Sequence, residues 1–342
     1  MQTLFLDHKM KIKYITESFM GCKGNGITSQ ALTWAEMLNK RQPSLVTLVN
    51  PWESVNWNSG DLVHLFGSSN TWFLGTATYL KSKGCKVLWS PICDNVDNPL
   101  IQRVKTKMAV PKLDLFGLPY VRKRMYNIVD KIFVRSSYEK NYIKKAYSVA
   151  NDKFSLVPLP ISNESKFDLD VKENICLHIS NLYNKRKNVA NLIKAAKLYG
   201  FSLVLAGNQG SVEQFKPLKD LIGEAKNIKV LGYLTEDEKV DLYKKSKVFA
   251  LPSIMEGVGI VALDAAHFGC DIVITNIGGP KEYYNHMAFE VNPYSIDDIG
   301  KAVVMAMRDS YQPQLKCFVD QNYSQESVAE LLLKNYASIN NA

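Results

Sequence analysis

The chain alternates short apolar runs with longer stretches whose apolar residues recur at helical spacing. Short runs between turn residues predict strands, and spacings of three and four residues predict helices. Representative strands are predicted at Lys11–Thr16, Lys86–Ser90, Ile175–Ser180, Ser202–Gly207, Ile228–Tyr233 and Asp271–Thr275. Helices are predicted at Ile27–Leu38 and Trp72–Lys83. This order of elements indicates an α/β protein whose parallel sheets are covered by helices on both faces.

A boundary between two domains is predicted near Pro160. A chain of 342 residues exceeds the usual size of one hydrophobic core. Pro158 and Pro160 are followed by polar residues, a composition typical of a linker. Beyond the linker, Thr235 and Ser295 are predicted N-caps of helices. Each part therefore has the elements of its own doubly wound sheet.

The stretch Ser246–Tyr284 carries the most informative pattern of the second domain. An apolar strand ends at Pro252, and a loop with Glu256 and two glycines leads into a helix of small residues that starts near Gly259. The free N–H groups at the start of such a helix bind phosphate well, and glycines let a ligand approach the backbone. The sequence therefore predicts an anion site here. The alternative is an ordinary strand–helix crossover whose glycines serve only tight turns.

A second glycine loop lies between the first predicted strand and helix. Its glycines, Gly21, Gly24 and Gly26, have the spacing G-x-x-G-x-G, which differs from the dinucleotide fingerprint G-x-G-x-x-G. An NAD-dependent oxidoreductase is therefore a poor fit. A plain glycine turn is the alternative to a ligand loop.

The residues of the second-domain stretch resemble a known family. The matching positions are Pro252, Ser253, Glu256, Gly257, Gly259, Asp264, Ala265, Gly269, Gly278, Gly279 and Glu282. They resemble the E-x7-E segment of the retaining nucleotide-sugar glycosyltransferases of family 4, although Asp264 stands where that family usually has Glu. The resemblance implies the GT-B fold, in which two doubly wound Rossmann-like domains face each other across a cleft and a C-terminal helix crosses back to the N-terminal domain.

The resemblance also implies the domain roles. Residues 1–160, with a helix in about 320–342, would bind the acceptor, and residues 161–319 would bind the donor. The donor would be a nucleoside-diphosphate sugar, most readily a UDP- or GDP-sugar, with no cofactor and no metal. The acceptor would be a glycan or a lipid-linked glycan, as in surface polysaccharide synthesis. The D-x-D of Asp168 and Asp170 lies in a polar linker, and we interpret it as a coincidence.

Site roles follow from the same resemblance. Glu256 would bind hydroxyls of the donor sugar, Asp264 would bind the ribose, and Lys187 would neutralise the leaving diphosphate. The remaining donor-binding candidates are Gly24, Gly26, Asn181, Tyr233, Gly257, Val258, Gly259 and Ile260. Tyr233 is expected to stack on the base, with a partly buried core tyrosine as the alternative. For Lys187 the alternative is a surface cation before a helix.

Three positions depart from the family pattern. Asn181 stands at the usual arginine, Asp264 at the usual glutamate, and Ile92 or Cys93 at about the place of a histidine near the donor sugar. A second hypothesis is therefore a catalytically weakened GT-B protein that binds a nucleotide sugar or a partner enzyme without turnover.

Composition narrows the partners and the compartment. The formal net charge of +9 favours anionic partners, but there is neither a long basic run nor a recognised nucleic-acid motif, so we expect no nucleic acid. The six cysteines lack CxxC spacing, which indicates reduced thiols and a cytoplasmic location. Residues 98–127 mix Lys and Arg with apolar and aromatic residues. They predict either peripheral contact with the anionic inner face of a membrane or a solvated basic helix.

Overall fold

The protein is described here from a computed structural model covering residues 10–16, 26–50, 53–67, 70–94, 97–111, 115–165 and 172–340. It separates into two compact units. The first unit consists of residues 1–159 and 325–342, and the second of residues 160–324. The chain thus leaves the first unit after Leu159 and returns to it at Gln325.

The first unit is a sheet of six parallel strands in the order β2-β1-β3-β4-β5-β6. Its strands are β1 (Ile12–Thr16), β2 (Val46–Leu48), β3 (Leu62–Phe66), β4 (Lys86–Ser90), β5 (Lys131–Val134) and β6 (Phe154–Leu156). Its helices are α1 (Gly26–Arg41), α2 (Thr71–Ser82), α3 (Pro99–Lys107), α4 (Leu118–Ile128), α5 (Ser137–Tyr147) and α12 (Gln325–Asn340). Both faces of the sheet are covered, since α1 and α12 pack on one face and α2, α4 and α5 on the other.

The C-terminal helix α12 is part of the core of the first unit. Leu332 and Tyr336 are fully buried against β1, β3 and α1. The Tyr336 hydroxyl lies 2.7 Å from the Tyr14 hydroxyl and 2.7 Å from His64 Nδ1, and His64 Nε2 lies 3.0 Å from Ser90 Oγ. A buried chain of hydrogen bonds therefore ties α12 to three strands, as the predicted crossing back of the last helix requires.

The second unit is also a six-stranded parallel sheet, in the order β12-β11-β10-β7-β8-β9. Its strands are β7 (Glu173–Ile179), β8 (Ser202–Ala206), β9 (Ile228–Val230), β10 (Ser246–Leu251), β11 (Asp271–Thr275) and β12 (Phe289–Val291). Its helices are α6 (Val189–Tyr199), α7 (Val212–Ile222), α8 (Glu236–Lys245), α9 (Ile260–His267), α10 (Ile296–Arg308) and α11 (Gln314–Tyr323). The α/β class with two doubly wound parallel sheets is confirmed.

Helix starts in the second unit follow the predicted caps. Thr235 and Glu238 form a capping box at the start of α8, and the Ser295 side chain accepts a hydrogen bond from the N–H of Asp298 at the start of α10. One strand is shorter than predicted. Because β9 ends at Val230 instead of Tyr233, Gly232 and Tyr233 lie in the loop that follows.

Candidate functional site

The candidate site lies where the strand order of the second unit reverses direction. From β7 the chain moves to β8 and β9 on one side, and it then crosses to β10 on the other side of β7. The loops that follow β7 and β10 therefore begin side by side at the carboxyl edge of two neighbouring strands before they diverge. Ligands of doubly wound sheets bind at this kind of switch point. The loop after β7 carries Lys187, and the loop after β10 carries Glu256.

The start of α9 has the properties of an anion site. The helix begins at Ile260, and its N-cap Gly259 has a φ of +72°. Among the described residues, the backbone N–H groups of Gly257, Val258, Gly259 and Ile260 donate to no acceptor. The Val258 side chain is buried, so this segment presents its backbone to a ligand. These N–H groups and the positive end of the helix dipole favour a phosphate.

Gly259 and Gly278 fix the path of the Glu256 loop. A Cβ on Gly259 would lie 2.9 Å from Leu251 Cδ2, and one on Gly278 would lie 2.8 Å from the carbonyl oxygen of Glu256. Gly278 has a φ of +91°, in the left-handed region that favours glycine. The backbone that follows β11 therefore lies against the Glu256 loop, which only glycine permits at this position.

A compact turn after β7 presents Lys187. Residues Lys185–Lys187 form a 3₁₀ turn capped by Asn184, whose side chain accepts from the N–H of Arg186 at 3.0 Å. Asn188 follows with a φ of +57°, and its buried amide donates to the carbonyls of Pro252 (3.0 Å) and Pro293 (2.6 Å). The sequence analysis missed Asn188. Its signal was an asparagine after three basic residues, the residue type that tolerates a left-handed backbone.

The two candidate catalytic side chains form an ion pair. Lys187 Nζ lies 2.5 Å from Glu256 Oε2, and the side chains are 17% and 11% exposed. Ser253 Oγ donates to the same carboxylate oxygen at 3.2 Å, and the N–H of Ile254 donates to the carbonyl of Arg186 at 2.8 Å. The loops after β7 and β10 are thus joined through both side chains and backbone. Lys187 is therefore paired with an acid and mostly buried, and its contact with a diphosphate stays a prediction.

His178, on β7, supports the β10 end of the site from below. It is fully buried, and its Nδ1 lies 2.7 Å from the carbonyl oxygen of Ala250. Because a carbonyl only accepts, Nδ1 carries the proton, and Nε2 accepts from Ser180 Oγ at 2.7 Å. Burial and, to a smaller extent, the charge of Lys187 lower the pKa of His178 to about 4, although the bond to the Ala250 carbonyl raises it. The sequence analysis also missed this neutral imidazole, whose partner lies on another strand.

Asp264 lies inside α9 and is buried. Its Oδ1 accepts from the backbone N–H of Ser162 at 2.7 Å. Burial raises the pKa of its carboxyl to about 6, against the bonds from Ser162, which lower it. The carboxylate therefore ties α9 to the start of the second unit. Its predicted bond to ribose hydroxyls stays a prediction.

The other predicted donor-binding residues occupy varied settings. Asn181 is exposed directly beyond β7, and Tyr233 is 87% exposed, which excludes the core-tyrosine alternative. Gly26 is the first residue of α1. Gly24 and the D-x-D of Asp168 and Asp170 lie outside the described residues. In the part of the chain that the structure describes, no cluster of three His, Cys, Asp or Glu is placed to hold a metal ion.

The segment where the resemblance expects a histidine is held by a buried ion pair in the first unit. Ile92 has a φ of +49°, which is rare for a β-branched residue. The N–H of Cys93 donates to Glu139 Oε1 at 2.6 Å, and Arg135 Nε lies 3.1 Å from Glu139 Oε2. The backbone after β4 is therefore fixed, although no imidazole stands there.

Comparison with known proteins finds similarity to glycosyltransferases over the second unit. Residues 162–324 match the family described as "Glycosyl transferases group 1". The match covers nearly the whole second unit. It is 30% identical over 133 residues to an uncharacterised glycosyltransferase of Methanocaldococcus jannaschii, covering 36% of this chain and 33% of that protein. It is 22% identical over 215 residues to the O-antigen chain mannosyltransferase B of Escherichia coli, covering 56% and 55%. The chain thus spans about a third to a half of these relatives.

Solved structures share the fold over nearly the whole chain. Sucrose-phosphate synthase from Thermosynechococcus elongatus has a TM-score of 0.72 and 16% identity, covering 96% of this chain and 98% of the other. Anabaena HepE in complex with UDP has a TM-score of 0.71 and 13% identity, covering 96% and 100%. The fold is that of the GT-B glycosyltransferases, two parallel-sheet Rossmann-like domains.

Proposed function

We propose that the protein is a glycosyltransferase that transfers a sugar from a nucleoside-diphosphate sugar to a glycan or lipid-linked acceptor, with retention of anomeric configuration. The second unit would bind the donor and the first the acceptor. The observation that carries the proposal is the pairing of Lys187 with Glu256 beside the free N–H groups of residues 257–260. This arrangement offers a cation, a carboxylate and an anion-binding helix end within one switch point.

The proposed chemistry follows the charge that develops during transfer. As the bond between the anomeric carbon and the phosphate oxygen breaks, negative charge grows on the diphosphate. Lys187 and the N–H groups at the start of α9 would stabilise that charge, since fixed donors aimed at developing charge lower the barrier. Glu256 would accept hydrogen bonds from hydroxyls of the donor sugar. No cofactor is needed in this scheme, and a UDP- or GDP-sugar is the proposed donor.

Related proteins support the class of acceptor. One relative is named as an O-antigen chain mannosyltransferase. Another, from Campylobacter jejuni, is named for transfer to an undecaprenol-linked diphosphate glycan and is 29% identical over 179 residues. We therefore propose a role in surface polysaccharide or lipid-linked oligosaccharide synthesis at the cytoplasmic side of a membrane. Among the described residues, no helix is both long and apolar enough to span a bilayer.

The second candidate is a protein that binds a nucleotide sugar without turnover. The exposed Asn181 at the usual arginine position favours it, because one phosphate cation is then absent. Lys185 and Arg186 are exposed on the same turn as Lys187 and are the nearest cations in sequence. A measured turnover would show that one of these cations compensates for the arginine that Asn181 replaces.

The test measures binding and transfer separately. Thermal unfolding with a panel of UDP-, GDP- and ADP-sugars identifies the donor, because a ligand of the folded state raises the Tm. Purified protein with that donor and a lipid-linked acceptor should then yield product, and the NMR coupling of its anomeric proton should match the donor. A product of inverted anomeric configuration contradicts retention. If the protein binds the donor but neither transfers its sugar nor hydrolyses it, the second candidate is favoured. If no sugar nucleotide raises the Tm, both candidates are contradicted.

A further inference from the structure

Helix α3 of the first unit exposes its apolar residues and hides a polar one. Gln102 is buried, and Thr106, one turn later, is half-buried and donates to the Gln102 carbonyl at 2.8 Å. Positions 102 and 106 therefore form the face that packs against the rest of the unit. A soluble helix normally has the reverse pattern, with apolar residues packed inward.

The outward face of α3 is an apolar stripe. Leu100, Val104 and Met108 lie four residues apart and are 59%, 56% and 73% exposed. They are offset by two positions, about 200°, from Gln102 and Thr106, so the stripe points away from the protein body. Ile101 borders the stripe and is 51% exposed. Residues one turn apart form a continuous surface along a helix.

The apolar surface continues beyond α3. Val110 and Leu115 are joined by an antiparallel bridge, and both are exposed. Phe116 and Leu118 are also exposed at the start of α4, which packs against α3. We call this set, with the stripe, the α3 patch; its residues are Leu100, Ile101, Val104, Met108, Val110, Leu115, Phe116 and Leu118. An exposed apolar surface of this kind usually marks an interaction site.

Two lysines border the apolar stripe of the α3 patch. Residues 98–127 contain seven Lys or Arg and one Asp. By helical geometry, Lys105 and Lys107 lie at opposite borders of the stripe, and among the described residues neither has an acidic partner. Arg103 is bonded to Ser148 Oγ, and Lys123 to the carbonyl of Tyr147. The stripe is thus apolar and has a lysine at each of its two borders.

We propose that the α3 patch inserts into the interface of an anionic bilayer. A helix that lies in the membrane surface combines an apolar face with a Lys- or Arg-rich border, and each cation near anionic lipid adds to the attraction. A protein partner fits less well, because interfaces between proteins are depleted of Lys. The proposal rests on the geometry of the first unit and stands independently of the donor chemistry.

Vesicle flotation of the full-length protein tests the proposal. The protein should float with vesicles of phosphatidylcholine mixed with phosphatidylglycerol, less with phosphatidylcholine alone, and less as salt rises. Val104→Glu with Met108→Glu should lower the affinity for anionic vesicles by about tenfold or more, since both side chains lose their apolar burial. Lys105→Glu with Lys107→Glu should abolish the preference for anionic lipid.

The matched control is Leu198→Glu with Met305→Glu, which charges two exposed apolar residues on helices of the second unit. It should float like the parent protein. The proposal is overturned if the parent protein does not float with anionic vesicles, or if the patch and control variants float equally. It is also overturned if the patch variants float like the parent protein and only lose self-association. The Tm shift with a sugar nucleotide should be kept by the patch variants, so a failure here is distinguishable from a failure of the donor assignment.

Discussion

Lys187 and Glu256 are 69 positions apart in sequence, and their charged atoms are 2.5 Å apart. The contact couples the loop after β7 to the loop after β10 at the point where a diphosphate is proposed to bind. Glu256 also neutralises the charge of Lys187, which would otherwise face the proposed anion site without a counter-charge. A bound diphosphate would compete with Glu256 for Lys187 and free the carboxylate for the sugar.

This competition predicts opposite effects of the two alanine variants on nucleotide binding. Lys187→Ala should weaken UDP or GDP binding by about tenfold to a hundredfold, since a hydrogen bond to a charged group contributes about 1.5–3 kcal/mol. Glu256→Ala should bind the nucleotide at least as tightly as the parent, because Lys187 is released, while transfer is lost. Calorimetric titration and a transfer assay measure the two effects. Lys194→Ala, at an exposed position of α6, is the control, and equal losses for Lys194→Ala and Lys187→Ala would contradict the assignment.

The glycine at position 278 should be intolerant of a side chain for two separable reasons. Gly278→Ala meets the left-handed backbone cost and places a Cβ 2.8 Å from the Glu256 carbonyl. Gly200 has a φ of +73° with open space around it, so Gly200→Ala meets only the backbone cost of about 1–2 kcal/mol. Urea unfolding should show a larger loss of stability for Gly278→Ala, and only this variant should weaken nucleotide binding. Equal losses would mean that the Glu256 loop moves freely.

Asp264 should make the second unit less stable as the pH rises. Its folded-state pKa of about 6 lies above the unfolded value of 3.8. Between these values the folded chain keeps a proton that the unfolded chain has released, so the free energy of unfolding falls with rising pH. The deficit above this interval is at most about 3 kcal/mol.

Asp264→Asn should remove that contribution while its amide oxygen still accepts from Ser162. Urea unfolding from about pH 4 to about pH 7 should show a flatter profile for the variant and a higher stability at the upper end. Asp241→Asn, at an exposed position of α8, should leave the profile unchanged. A variant that is less stable than the parent at neutral pH would sink this explanation.

Tyr336→Phe should destabilise the first unit more than Tyr14→Phe. Removing the Tyr336 hydroxyl leaves both Tyr14 and His64 Nδ1 without their partner, whereas Tyr14→Phe leaves the bond between Tyr336 and His64 intact. The expected cost of Tyr336→Phe is about 1–3 kcal/mol, the price of unpaired buried polar groups. Denaturation with urea measures the free energy of unfolding of both variants and the parent. A Tyr336→Phe variant as stable as the parent would show that the chain of bonds contributes nothing.

The local pattern of the sequence predicted the elements around the site. Pro252 ends β10 and Gly259 caps α9 because these residue types restrict or relax the backbone wherever they occur. Tyr233 was assigned to a strand that ends three residues earlier, since the apolar run continues past the ladder. Strand ends depend on the neighbouring strand, which a local pattern does not contain.

The supporting contacts of the site were beyond sequence reasoning for the same reason. Asn188 bonds Pro252 and Pro293, and His178 bonds Ala250, partners that are more than 60 positions away. The bond between Asp264 and Ser162 spans 102 positions. Motif spacing identified Glu256 and Lys187 as candidates, and only the sheet order explains why their loops meet.

The crossing of α12 back to the first unit has a consequence for biosynthesis. Leu332 and Tyr336 belong to a core whose members outside α12 all lie before residue 160. During translation, residues 160–324 emerge before this helix does and hold all the strands of their own sheet. The first unit therefore has an uncovered apolar face until α12 is synthesised, whereas the second unit is already complete in sequence. The second unit can thus finish folding before the first, which reverses the usual N-to-C order of domain folding.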